Sequence, residues 1–220
     1  ASAILIQGDK ISFVGNDNET LSRTSDQAEK IDLEGRFVTP GFIDNHVHFM
    51  SGGLQLSRVD LRNAKSKKEF QELIAKADND LAEGVWMQGG NWDHELWGGQ
   101  YPDRSWIDEV VNDRPVFLDR LDGHMGLANS AALSLANITE ETEDPIGGII
   151  LKNSSGQPTG ILKDLAMGLC NKLIPEPSLE ELDLALQKAT EHAHSLGVTQ
   201  VHDMGSWSDL QTYKRNRSNG

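Results

Sequence analysis

The stretch "FVTPGFIDNHVHFM", residues 37–50, decides how this chain is read. Apolar and β-branched residues flank a Thr39-Pro40-Gly41 break, and His46 and His48 follow two apart. "GFIDNHVHF" reads as a short buried strand. In an extended strand residues i and i+2 project to the same side, about 6.5–7 Å apart at Cα. Two imidazoles so placed can converge on one metal ion at about 2.0–2.1 Å. The same spacing also arises at a strand–loop junction where both rings are simply hydrogen-bonded. Spacing alone leaves both readings open.

The 220 residues around this stretch are 37% hydrophobic, enough for a core and for one large domain or one and a half smaller ones. The net charge is −14, with 34 acidic against 20 basic residues, which argues against a nucleic-acid partner. Cys170 is the single cysteine, so neither an intramolecular disulfide nor a cysteine-based zinc site can form. No apolar run approaches the roughly 18 residues needed to span a bilayer. The opening "ASAILIQGDK" has no initiator methionine and no charged n-region, which leaves the compartment unassigned.

Before the His46–His48 stretch, "AILIQGDKISFVG" predicts a β-hairpin and "KIDLEGRFVTPG" a second strand pair around Glu34-Gly35, together part of a small β-domain over residues 1–40. After it, strands and helices alternate. "KSKKEFQELIAKADNDLAEG" carries Phe70, Leu73, Ile74, Ala77 and Leu81 at helical spacing. "VWMQGGNWD" and "PVFLDRLDGHM" read as strands, "SWIDEVVND" and "ANSAALSLAN" as helices, and residues 146–162 as an inserted hairpin. "SLEELDLALQKATEHAHSLG" is a helix opened by a Ser178/Glu181 capping box, and "VTQVHDMG" a final strand. That order predicts an α/β parallel architecture, and four such strands are half of a (β/α)8 barrel.

Several residues could carry chemistry at strand ends. Trp92, in the aromatic- and glycine-rich "NWDHELWGGQYP", is a candidate pocket wall or a packed surface residue. Asp122 and His124 close the third strand, where they could contact substrate or only pack the loop. His202 and Asp203 close the last strand and could act behind a metal site or on substrate. His192 and His194 repeat the spacing of two, but on a helix this turns the rings about 200° apart, so they cannot share a metal.

"EGRFVTPGFIDNHVHF" closely resembles the amidohydrolase superfamily signature, an Asp-x-His-x-His stretch at the first barrel strand. "NWDHELWGG", "DGHMGLANSAAL", "DPIGGIILKNSSGQPTGILKDLAM" and "GVTQVHDMG" are similar to the YtcJ-like branch, amidohydrolase family 3, especially its plant long-after-far-red type. The resemblance runs from about residue 4 to 205. It implies that residues 41–220 form the N-terminal half of a metal-dependent-hydrolase (β/α)8 barrel. It implies that His46 and His48 bind a catalytic divalent metal, usually zinc. Asp164 falls at the family's acidic position as a further ligand or catalytic group, with Lys163 the other candidate because relatives use a carboxylated lysine. The implied activity is hydrolysis of non-peptide carbon–nitrogen bonds in small amide-type substrates, such as N-substituted formamides, by metal-activated water. The family completes its site with later histidines and an aspartate, so a chain ending at Gly220 is expected to be an incomplete fragment. The alternative expectation is an inactive product that binds or regulates a partner, or forms a homodimer, through exposed half-barrel edges.

Overall fold

A computed structural model describes residues 1–111 and 113–219 and divides the chain into two compact units, Ala1–Pro40 and Gly41–Gly220. In the first unit, β1 (Ala3–Gln7) and β2 (Lys10–Gly15) form the expected antiparallel hairpin, with Leu5 opposite Phe13 and a bulge between Leu5 and Ile6. α1 (Asp17–Leu21) follows, its first turn capped by the Asn16 side chain accepting from the Glu19 N–H. The expected second strand pair does not form. The Asp32 side chain accepts from the Glu34 N–H at 2.8 Å, and the Arg36 N–H donates to the Leu33 carbonyl at 2.9 Å. These local bonds close a turn in place of a ladder. Ile31 and Phe37 on either side stay 74% and 92% exposed, so no apolar face rewards pairing there.

The second unit opens with β3 (Phe42–Val47) and α2 (Phe49–Leu56). Next come β4 (Val59–Asp60), α3 (Lys67–Asp80), β5 (Met87–Trp92), a 3-10 turn at His94–Trp97 and α4 (Ser105–Asp108). β6 (Val116–Arg120), β7 (Met125–Ala128), α5 (Ser130–Leu135), β8 (Gly148–Lys152) and β9 (Pro158–Asp164) continue the chain. A 3-10 turn at Leu165–Met167, α6 (Gly168–Asn171), α7 (Leu179–Ser195), β10 (Val198–Asp203) and α8 (Trp207–Asn219) complete it.

The strands and helices alternate as an α/β fold should, but their neighbours are not those the sequence order suggests. β3 lies parallel to β10, with Asp44 opposite Val201 and Val47 opposite Asp203. Everything between forms a separate six-stranded sheet in the order β4-β5-β6-β7-β9-β8. β4, β5 and β6 are parallel, and the remaining pairs are antiparallel. The expected hairpin is present as β8 and β9, extended to Asp164. The single strand expected over "PVFLDRLDGHM" is instead a hairpin, β6 turning into β7. Its turn carries Asp122-Gly123, with the Asp122 side chain accepting from the His124 N–H and Gly123 at φ 70°. Asp-Gly is a strong short-range hairpin signal that outweighed the apolar run.

Cores fill both sides of the larger sheet. Phe70, Ile74, Met87, Trp92, Leu118 and Ile161 pack in one cluster, and Phe117, Leu133, Ile150, Leu162 and Cys170 in another. Alternation along β6 and β9 sends neighbouring residues to opposite clusters. β3, by contrast, is exposed rather than buried: Phe42 and Ile43 are 60% and 58% accessible, because among the described residues only β10 pairs with it. α2 packs on α7 behind this strand pair. The approach depends on Gly53, where a Cβ would stand 2.1 Å from the Ala185 carbonyl oxygen. α7 begins with both bonds of its capping box, Ser178 Oγ to Glu181 N–H and Glu181 Oε2 to Ser178 N–H.

Candidate metal centre and its cavities

His46 and His48 project from the end of β3 with ring centroids 5.9 Å apart, edge to face. Both are exposed, and among the described residues neither ring makes a hydrogen bond. Both rings are open to solvent. The backbone around His48 is held on several sides. The Met204 N–H donates to the Val47 carbonyl at 2.7 Å, and the Gly52 N–H to the His48 carbonyl at 2.9 Å. The Phe49 N–H donates to Asp203 Oδ1 at 2.7 Å. Asp203 Oδ2 in turn accepts from the Tyr213 hydroxyl at 2.5 Å, tying α8 to the same point. Burial, then the bond to Asp203, pushes the Tyr213 phenol well above its ordinary value.

Two cavities open on His48. One, of about 390 Å³, is lined by Ser51, Gln55, Arg58, Asn91 and Asp119 as well. The other, of about 400 Å³, is lined by Ser51, Asp203, Met204, Ser206 and Asp209. In the first, Gln55 Nε2 donates to Asn91 Oδ1 at 3.0 Å, bracing α2 against the end of β5. Burial pushes the Asp119 carboxyl up, opposed by Arg58. Burial likewise lowers Arg58, opposed by Asp119 and then Glu181.

The remaining candidates lie apart from this pair. Trp92 is fully buried in the core, its indole N–H donating to the Leu118 carbonyl at 2.9 Å, so it is not a pocket wall. Alternation along β5 turns it inward. Asp122 accepts from Arg120 and from the His124 N–H; burial alone would raise its pKa, but these partners outweigh it and lower it. His124 Nδ1 meets Asp164 Oδ1 at 3.0 Å. Lys163 donates to the Tyr101 hydroxyl at 3.4 Å with its ammonium 4.7 Å from the ring centroid. Asp164 thus ends β9 in the larger sheet, at φ 49°, and is engaged by His124.

A three-ligand set of His46, His48 and Asp164 does not assemble: no group of three His, Cys, Asp or Glu suited to a metal occurs among the described residues. His202 is exposed beside Gln200 and lines neither cavity. Arg58, Gln55 and Asp119 escaped the sequence reading because they share no motif, and Asn91 opens "NWDHELWGGQYP" beside the more conspicuous Trp92. Asp119, near the end of a strand, carried the one available signal.

Paired imidazoles at the end of a parallel strand, with open nitrogens and a cavity on either side, are two donors of the kind a metal-dependent hydrolase uses. The chain belongs to the amidohydrolase family, whose profile matches residues 29–218. It is 42% identical over 221 residues to Protein LONG AFTER FAR-RED 3 of Arabidopsis thaliana, covering 96% of this chain and 38% of that protein. It is 35% identical over 172 residues to the N-substituted formamide deformylase of Arthrobacter pascens, covering 77% and 32%. A crystal structure of a metal-dependent hydrolase from Pyrococcus furiosus superposes with a TM-score of 0.69 at 29% identity, over 98% of this chain and 43% of that one. The chain therefore spans about two-fifths or less of the length of these relatives.

Proposed function

We propose that the complete protein hydrolyses a non-peptide carbon–nitrogen bond of a small amide-type substrate, with His46 and His48 as two ligands of a divalent metal, zinc in the first instance. The observation that carries this reading is the pair of unbonded imidazoles 5.9 Å apart on one side of β3. Family membership supports hydrolysis, and the formamide deformylase among the relatives supports the bond type. When bound, the metal supplies Lewis acidity and lowers the pKa of water. The chain's own part is to present both imidazoles, to fix the His48 backbone through Asp203, and to offer a cavity beside them. No helix among the described residues is long and apolar enough to cross a membrane.

The test is release of amine from N-substituted formamides by the complete gene product loaded with zinc, alongside its metal content. His46→Ala with His48→Ala is expected to lose both metal and turnover. Metal retained in that double variant would rule out the ligand assignment, and no amine release by the loaded protein would rule out the activity.

A further inference from the structure

β8 is the outer strand of the six-stranded sheet. β9 pairs with one side of it, and among the described residues no strand pairs with the other. Such an edge presents N–H and C=O groups that a second chain can bond. The composition of this edge favours pairing: "IGGIILK", residues 146–152, is apolar up to Lys152, and Ile146 and Ile149 are 97% and 48% exposed. Yet its donors are taken. Alternate residues of a strand turn their N–H groups to the same side, so Gly148 and Ile150 serve the outer edge. The Ile150 N–H donates to Asp144 Oδ1 at 2.7 Å, and the Gly148 N–H to the Pro145 carbonyl at 3.0 Å.

Both acceptors lie in residues 139–146, the segment that precedes β8 and folds back along it. The hairpin holds this segment at its far end too. The Lys152 ammonium donates to the Glu140 and Thr142 carbonyls, each at 2.8 Å, and the Gln157 amide donates to the Glu140 carboxylate. The segment also carries Glu141, Glu143 and Asp144, and charge is a common means of keeping an edge unpaired. We propose that residues 139–146 are a strap that guards the β8 edge, and that its release lets β8 of a second copy of this chain pair there, antiparallel about a two-fold axis. Centred on Ile150, that pairing exchanges each Asp144 carboxylate for a backbone carbonyl. It sets Lys152, the only charged residue of β8, opposite Gly148, so no like charges face each other. The competing account is that Asp144 only closes a turn. Its loss would then lower stability and leave the mass unchanged.

The test is the mass of the complete gene product by light scattering over a range of concentrations. Asp144→Ala is expected to double the mass relative to wild type as concentration rises, whereas Asp144→Asn, which keeps an acceptor, is expected to match wild type. Adding Ile149→Lys to Asp144→Ala places a charge on the exposed side of the new pair and is expected to restore the wild-type mass. Lys152→Met frees the other end of the strap and decides the matter if Asp144→Ala does not fold: it too is expected to double the mass. Hydrogen exchange reads the same edge, with the Ile150 amide protected in wild type and in the doubled species. A variant that folds at the wild-type mass overturns the inference. So does a doubling that Ile149→Lys leaves in place, or a wild-type association that Ile149→Lys abolishes.

Discussion

Asp203 holds the peptide that follows His48, and replacing it gives a sharp expectation. Its carboxylate accepts the Phe49 N–H at 2.7 Å and the Tyr213 hydroxyl at 2.5 Å. Hydrogen bonds to a charged group contribute about 1.5–3 kcal/mol each. Asp203 is only half-buried, so the lower figure applies, and Asp203→Ala is expected to cost about 3 kcal/mol in urea unfolding. Tyr213→Phe removes one of the two bonds and should cost about half as much. Asp203→Asn keeps an acceptor for Phe49 and should fall between wild type and the alanine variant.

The same bond fixes the peptide that follows His48, so under the ligand role proposed for His48 metal affinity should fall along with stability. Groups behind a metal ligand typically contribute 10–100-fold in affinity, and Asp203→Ala is expected in that range. The assay is zinc titration against a chromophoric chelator, run beside the unfolding curves. Tyr213 adds a pH signature. Its folded-state pKa is raised, so its contribution is complete below the ordinary tyrosine value of about 10 and is lost as pH rises past it. Tyr213→Phe should flatten that alkaline loss. An alanine variant as stable as wild type would refute the hydrogen-bond accounting. One that is destabilised but binds zinc unchanged would refute the positioning role.

Gly53→Ala forces a Cβ to within 2.1 Å of the Ala185 carbonyl oxygen and should cost about 1–3 kcal/mol by chemical denaturation, through separation of α2 from α7. Cys170 is buried, and burial pushes its thiol up to about 12, so a thiol reagent should label it only after denaturation. Arg215 and then Asn216 hold the Asp183 carboxyl below its usual range, tying α8 to α7. That contribution is present above the ordinary aspartate value of about 4 and lost as pH falls through and below it, so the protection of α8 amides, measured relative to intrinsic exchange at each pH, should fall on acidification before that of β5 and β6 does.

What the sequence made legible was local. α3 and α7 declare themselves by the spacing of Phe70 and Ile74 and by the Ser178–Glu181 box, all within a few residues of each other. The β8–β9 hairpin and the His46–His48 pair are equally short-range. What stayed hidden depends on contacts far apart in the chain. Phe49 and Asp203 are 154 residues apart, and nothing in either segment says that β3 will lie beside β10. Trp92 misled because its aromatic, glycine-rich neighbourhood looks like a pocket wall, whereas strand alternation turns the indole into the core. Asp164 misled in the opposite direction. The resemblance set an acidic residue at that position, but the hairpin carries it to His124, in a different sheet from the two histidines.

The two cavities meet at His48 but differ in how their walls are held. On one side, Asp203, Tyr213 and the Met204 N–H hold the backbone with bonds between 2.5 and 2.7 Å, and each of these groups has its partner within the chain. On the other, Gln55 and Asn91 brace the wall, while among the described residues the Arg58 and Asp119 side chains have no hydrogen-bond partner within the chain. A satisfied network rigidifies the backbone that it holds. The first arrangement fixes the backbone on either side of His48, and the second leaves side chains of the wall in contact with solvent. Because α2 begins at the first wall and runs along the second, one short helix sets the spacing between the two cavities. Its packing on α7 through Gly53 then fixes that helix in place.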